Sequence, residues 1–155
     1  VGVGEAGCVI EFGRPGVGVR FSHIQEMTRA LARLDITFEA KNPITHLMVD
    51  QATGDLKPDL LNEKILSAIV EIKTPIDRVP EVLETIVQTS KRIDTVLAIG
   101  VSTRCEESGE EHVLSRLLEE HGYTYYRAKT NLGLGRVTNV QKQEAARDQH
   151  LASVR

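Results

Sequence analysis

The spacing of apolar and polar residues changes several times along the chain, and each change marks an expected element. Cys8-Val9-Ile10-Glu11-Phe12 reads as a short strand, Gly13-Arg14-Pro15-Gly16 as a turn, and Val17 to Phe21 as a returning strand, so a hairpin is expected. Ile24, Met27, Leu31 and Leu34 then fall on one helical face, and Ser22 with Gln25 has capping-box spacing at its start. Ile36 to Glu39 and Ile44 to Val49 read as strands, the second ending at Asp50 before the turn Gln51 to Asp55. Leu60, Leu61, Ile65, Leu66 and Ile69 have helical spacing, whereas Val70-Glu71-Ile72-Lys73 alternates as a strand does. Pro75 and Pro80 bracket the start of a helix whose apolar face is Val82, Leu83, Ile86 and Val87.

The second half carries the longest apolar run. Asp94 to Val101 shows no alternation, as expected of a strand covered on both faces, and a polar loop over 102–109 follows. Glu110 to His121 reads as a helix with Val113, Leu114, Leu117 and Leu118 inward, and Gly122 suits the left-handed position just past its end. Tyr123 to Ala128 reads as a strand and 129–136 as a glycine-rich loop. Strand, helix and strand over 94–128 make a βαβ unit, which crosses over right-handed and builds parallel neighbours. The fold expected is therefore α/β, a single domain over 1–140 with a mixed, largely parallel central sheet flanked by helices. Residues 141–155 are polar and read as a solvated helix or a tail.

Composition narrows the function classes. The chain has 155 residues, enough for one domain with a core. Its 19 basic and 22 acidic residues give a net charge of −3, which argues against a general nucleic-acid binder. The absence of Trp, with three Tyr and three Phe, argues against a single-strand stacking platform. Cys8 and Cys105 have no paired spacing, so neither a disulfide framework nor a zinc site is expected, and a reducing cytoplasm suits them. No apolar run reaches the ~18–20 residues that span a bilayer, and no signal-peptide pattern is read. The five histidines show no metal-ligand pairing. No hydroxyl, His and acid grouping suggests a nucleophilic triad.

Candidate chemistry concentrates after the apolar run. Ser102, Thr103 and Arg104 offer two hydroxyls, backbone N–H groups and a guanidinium at the carboxyl end of a strand, where open α/β sheets bind ligands. Glu106, Glu107, Glu110 and Glu111 crowd that loop, so a solvated loop whose acids support a helix start stands beside the phosphate reading. In the second loop, Lys129 and Arg136 bring charge, Thr130 and Asn131 bring hydrogen bonds, and Gly133 and Gly135 permit close backbone approach; an ordinary glycine turn is the alternative. Asp50, with Asp55 nearby, is a candidate Mg²⁺ ligand, against the plainer role of capping the Thr53-Gly54 turn. Gly2, Gly4 and Gly7 spell GxGxxG, but a strand follows them rather than a helix, so a structural turn is the reading preferred.

VLAIGVSTR followed by LSRLLEEHGYTYYRA resembles the opening βαβ of inosine-triphosphate-pyrophosphatase-like folds. The chain departs from that group in having Arg104 where a Lys is usual and an acidic stretch at 106–111. In length, N-terminal glycine run and the Thr130–Arg136 loop, the whole chain is similar to the HcgB family, guanylyltransferases of iron-guanylylpyridinol cofactor biosynthesis in methanogenic archaea. The resemblance implies the pyrophosphatase-like architecture, a homodimer, and transfer of GMP from GTP to a pyridinol hydroxyl with release of pyrophosphate. It also implies Mg²⁺ on the triphosphate. Such a transfer needs positioning and positive charge more than covalent work by the protein. Two alternatives stay open: a nucleoside-triphosphate pyrophosphatase, and a non-enzymatic nucleotide-binding module.

Overall fold

The computed structural model describes residues 1–105 and 113–126. Val1–Thr124 forms one compact unit and Tyr125–Arg155 a second, of which Tyr125 and Tyr126 are described. The first unit is built on a four-stranded sheet of β1 (Glu5–Phe12), β3 (Thr37–Phe38), β7 (Ala68–Pro75) and β8 (Leu97–Thr103), in the order β3-β7-β1-β8. Two small two-stranded sheets pair β2 (Val19–Arg20) with β6 (Lys64–Ile65), and β4 (Met48–Asp50) with β5 (Asp55–Leu56). The helices are α1 (Phe21–Leu31), the short α2 (Pro43–His46), α3 (Val79–Ser90) and α4 (Val113–Glu120).

The mixed α/β class is as expected; the strand directions are not. Every strand pairing among the described residues is antiparallel. The βαβ unit supplies no parallel neighbour there, because Tyr123 to Tyr126 are not in a strand and the residues beyond lie outside the described ones. The N-terminal hairpin is also absent. Gly13, Gly16 and Gly18 take positive φ, and the Gly13 carbonyl accepts from the Val17 and Gly18 N–H groups, so the chain turns out of the β1 plane. β2 then pairs with β6, leaving both sides of β1 to β7 and β8.

The sheet's alternation puts the core on one face. Ala6, Cys8, Ile10 and Phe12 of β1 are buried, and so are Ala68, Val70, Ile72 and Thr74, which lie opposite them on β7. Against this face pack Ile24, Met27 and Leu31 of α1 and Val82 and Ile86 of α3. A second cluster joins Ala6 and the α3 residues Val79 and Leu83 to Leu114 and Leu118 of α4. On the other face, the apolar side chains Val9 and Ile69 are half-buried and belong to neither cluster.

Three local expectations change for identifiable reasons. Helix α1 starts at Phe21, so Arg20 rather than Ser22 is its N-cap and makes no side-chain cap bond, and Gln25 Oε1 instead accepts from the Leu56 N–H at 2.9 Å. Ile44 to His46 are helical because Asn42 Oδ1 accepts from the Ile44 N–H at 2.9 Å and Pro43 stands in the first turn, a helix-start combination that outweighs the β-branched residues. Residues 58–67 form a short 3₁₀ turn and strand β6 rather than an α-helix, and Ile69 already lies in β7; Leu60 packs on the core from the 3₁₀ turn, Leu61 from just after it and Ile65 from β6, so helical spacing is matched without a helix.

Candidate functional site

The sheet register assembles a row of polar and small residues on the face away from the core. Thr37 of β3, Lys73 of β7, Gly7 of β1 and Ser102 of β8 are successive cross-strand partners, so their side-chain positions share one face. Ala98 and Gly100, also on that face of β8, are exposed. The Ser102 hydroxyl is 3.3 Å from the Gly7 carbonyl, to which it donates. Position 7 is crowded: a Cβ there would come within 2.9 Å of Val1 Cγ2 and 3.0 Å of Ser102 Oγ, so one of these side chains would have to move. Val1 therefore packs over the backbone between Lys73 and Ser102.

Lys73 Nζ is 2.9 Å from Glu5 Oε1, and Glu5 Oε2 accepts from the Gly2 N–H at 2.7 Å. The Lys73 contact, helped by the Gly2 bond, lowers the Glu5 pKa from its ordinary value. Row and end thus offer a hydroxyl, an ammonium held by one carboxylate, and the exposed Arg104 just past β8. These groups can grip an oxyanion; they supply no nucleophile and base in contact.

The three residues expected to grip a phosphate together are divided by the strand. Ser102 and Thr103 both lie within β8, not in a loop after it, so their side chains alternate across the sheet. Thr103 lies opposite Ala6 on the core side, while Ser102 lies opposite Gly7 on the outer side. Lys73 shares the outer face with Ser102, one strand beyond Gly7. The alternation of Val70 to Lys73 marks Lys73 as outward-facing in the sequence, but nothing in the sequence pairs it with Gly7 and Ser102. Lys129, Thr130, Asn131, Gly133, Gly135 and Arg136 lie outside the described residues.

Asp50 closes its own turn. Its Oδ1 accepts from the Ala52 N–H at 2.9 Å, and its carbonyl accepts from the Gly54 N–H at 3.0 Å. Asp55 is taken up by Arg29 Nε at 2.5 Å and the Thr53 hydroxyl at 2.8 Å, which lower its pKa in that order of effect. These donors do not fit a magnesium ion held by the two carboxylates, and no group of three His, Cys, Asp or Glu side chains that could hold a metal gathers among the described residues.

A basic groove of about 270 Å³ lies elsewhere, lined by Glu26, Arg29, Ala30, Arg33 and Arg92. Arg29 is in the last turn of α1, and Arg92 follows α3 with its Nη1 3.4 Å from the Gln88 carbonyl. Cations at helix C-termini offset the helix dipole, which accounts for this cluster without a ligand.

No protein-family model matches this chain, and no curated protein and no solved structure matches it. No described helix is long and apolar enough to cross a membrane.

Proposed function

We propose that this protein binds the phosphate groups of a nucleotide on the outer face of its sheet, at the β8 end marked by Ser102, Lys73 and Arg104. The observation that carries the reading is the cross-strand row Lys73–Gly7–Ser102 with Arg104 just beyond it. A hydroxyl and two cations at one sheet end suit an oxyanion, and the cations add charge-assisted bonds. The resemblance to HcgB gives the proposal its specific form: GMP from GTP is joined to a pyridinol hydroxyl and pyrophosphate leaves. Magnesium, in this form, accompanies the triphosphate. Two free cysteines, one buried and one exposed, suit the cytoplasm that this chemistry implies.

Incubation of the full chain with GTP, MgCl₂ and a hydroxypyridine, followed by mass spectrometry, tests both levels. A guanylylated pyridine supports the transferase. GMP and pyrophosphate without adduct favour the pyrophosphatase, and unchanged GTP with measurable binding favours a binding module. Arg104→Ala is expected to weaken GTP affinity at least about tenfold, the worth of one charge-assisted hydrogen bond. An unchanged affinity in that variant removes Arg104 from the phosphate site.

A further inference from the structure

We infer that the β2–β6 ladder is a second oxyanion site, at which Arg20 and Lys64 together hold one phosphate group. The two residues are direct cross-strand partners, and both are exposed, while Val19 and Ile65 beside them pack on the core. Directly opposed side chains start ~4.5–5.5 Å apart on one face, and like charges so placed repel. A second field adds to that repulsion. Arg20 is the N-cap of α1, whose positive dipole end disfavours cations, and the first turn of this helix holds no acidic residue. The first turn of α3, by contrast, holds Glu81. A chain with a net charge of −3 thus sets two cations side by side at the positive end of a helix. A phosphate dianion between them reverses both repulsions and accepts charge-assisted bonds from each.

Local contacts hold both cations near the glycine-rich 13–18 loop. Arg20 Nη1 donates to the Asn62 carbonyl at 2.9 Å, which uses one of the five guanidinium N–H groups and fixes the fork beside the start of β6. Lys64 lies against Gly18: a Cβ at that glycine would come within 2.9 Å of Lys64 Cε and 3.7 Å of its Nζ. Gly18 takes a φ of +77, which favours glycine, and its bare backbone lets the lysine lie close. Arg14, in the same loop, is drawn back to Glu11 at 3.6 Å. Glu63, the acid next to Lys64 in the chain, is exposed, and its carbonyl accepts from the Phe21 N–H. The Leu61 carbonyl takes the Ser22 N–H, so the ligand rests on the two side chains rather than on the helix end. Gly7 lies near the start of β1, whereas Gly13 follows its end, so this site and the one at Ser102 are at opposite ends of the strand. Phosphate held here is independent of nucleotide binding at β8.

The full chain, labelled with ¹⁵N, can be titrated with sodium phosphate from about 0.1 to about 20 mM, against sodium chloride of equal ionic strength to separate binding from screening. The amide resonances of Gly16, Val17, Gly18 and Arg20 are expected to move saturably with phosphate and not with chloride. Lys64→Gln is expected to raise the phosphate dissociation constant read at these amides at least about tenfold. Lys41→Gln, which removes an exposed lysine between β3 and α2, leaves it unchanged. Lys64→Glu sets opposite charges across the ladder, so it is expected to raise the Tm in low salt while abolishing the phosphate shifts. Parallel titrations with inorganic phosphate and phenyl phosphate tell the free ion from a monoester by which binds tighter. Amides that do not move, that move equally in chloride, or that respond unchanged in Lys64→Gln overturn the inference. So does a Tm lowered by Lys64→Glu, since the two cations would then not be opposed.

Discussion

β7 and β8 flank β1 in the same way, antiparallel and in unbroken register, yet they live in different surroundings. On β7, Ala68, Val70, Ile72 and Thr74 are buried; on β8, Leu97, Val101 and Thr103 are half-buried and Ile99 is exposed. Strand sequence does not explain this, since both are apolar toward the helices. The difference lies in what covers them: α1 and α3 pack over the β1 and β7 side, and the buried cluster reaches β8 only through half-buried Leu97 and Val101. An apolar strand is therefore no guide to its own burial until its place in the sheet is known.

The contrast is sharpest within one row. Ile10→Ala removes a side chain with no exposure and leaves a cavity between Val70 and the helices, so a loss of about 2–5 kcal/mol is expected. Ile99→Ala, one strand away on the same face, is expected to cost about 1 kcal/mol or less, because Ile99 is already 40% exposed. Urea midpoints of the two variants test the comparison. Equal losses would mean that β8 is as well covered as β7.

Legibility in the sequence follows the same division. The cores of β1, β7, α1, α3 and α4 were readable because each buries one face, and burying one face writes a period into the sequence. Gly122 was readable because its φ of +72 calls for glycine. The unbroken run before Ser102 was misleading, since among the described residues β8 has a strand on one side alone, and apolar residues there look like those of a central strand. Strand order was not readable either: β1 meets β7 across more than fifty intervening residues, and no local pattern encodes that pairing. The candidate site inherits the gap. Ser102 and Arg104 stood out by composition, whereas Lys73 joins them only through register with Gly7, and Thr103 leaves them through strand alternation.

The two cysteines carry the comparison into chemistry. Cys8, on the covered face of β1, is buried, and burial raises its pKa from 9.0 to about 11; Cys105, past the end of β8, is exposed. Below pH 9 Cys8 is protonated in folded and unfolded chains alike, and stability is unaffected. Between pH 9 and 11 the unfolded chain gives up the proton while the folded chain keeps it, so stability falls as pH rises. At pH 10 the loss is about 1.4 kcal/mol, one pKa unit's worth. The stability gap between wild type and Cys8→Ala should narrow by that amount from pH 8 to pH 10. A thiol reagent should modify Cys105 in the native chain and reach Cys8 only on unfolding.

Ser102→Ala is the smallest expected change and separates structure from function at the β8 end. Ser102 is exposed and the bond of its hydroxyl to the Gly7 carbonyl is long at 3.3 Å, so the stability should move by no more than about 0.5 kcal/mol. Contact with a phosphate oxygen would give the same hydroxyl a second use, worth about 0.5–1.5 kcal/mol, and GTP affinity should then fall a few-fold while stability holds. A fall in both would assign Ser102 to the sheet and not to a ligand, because the variant would then report damage shared by its neighbours. No fall in either would leave the phosphate site to Lys73 and Arg104, and the outer face of β8 would differ from its core face in exposure alone.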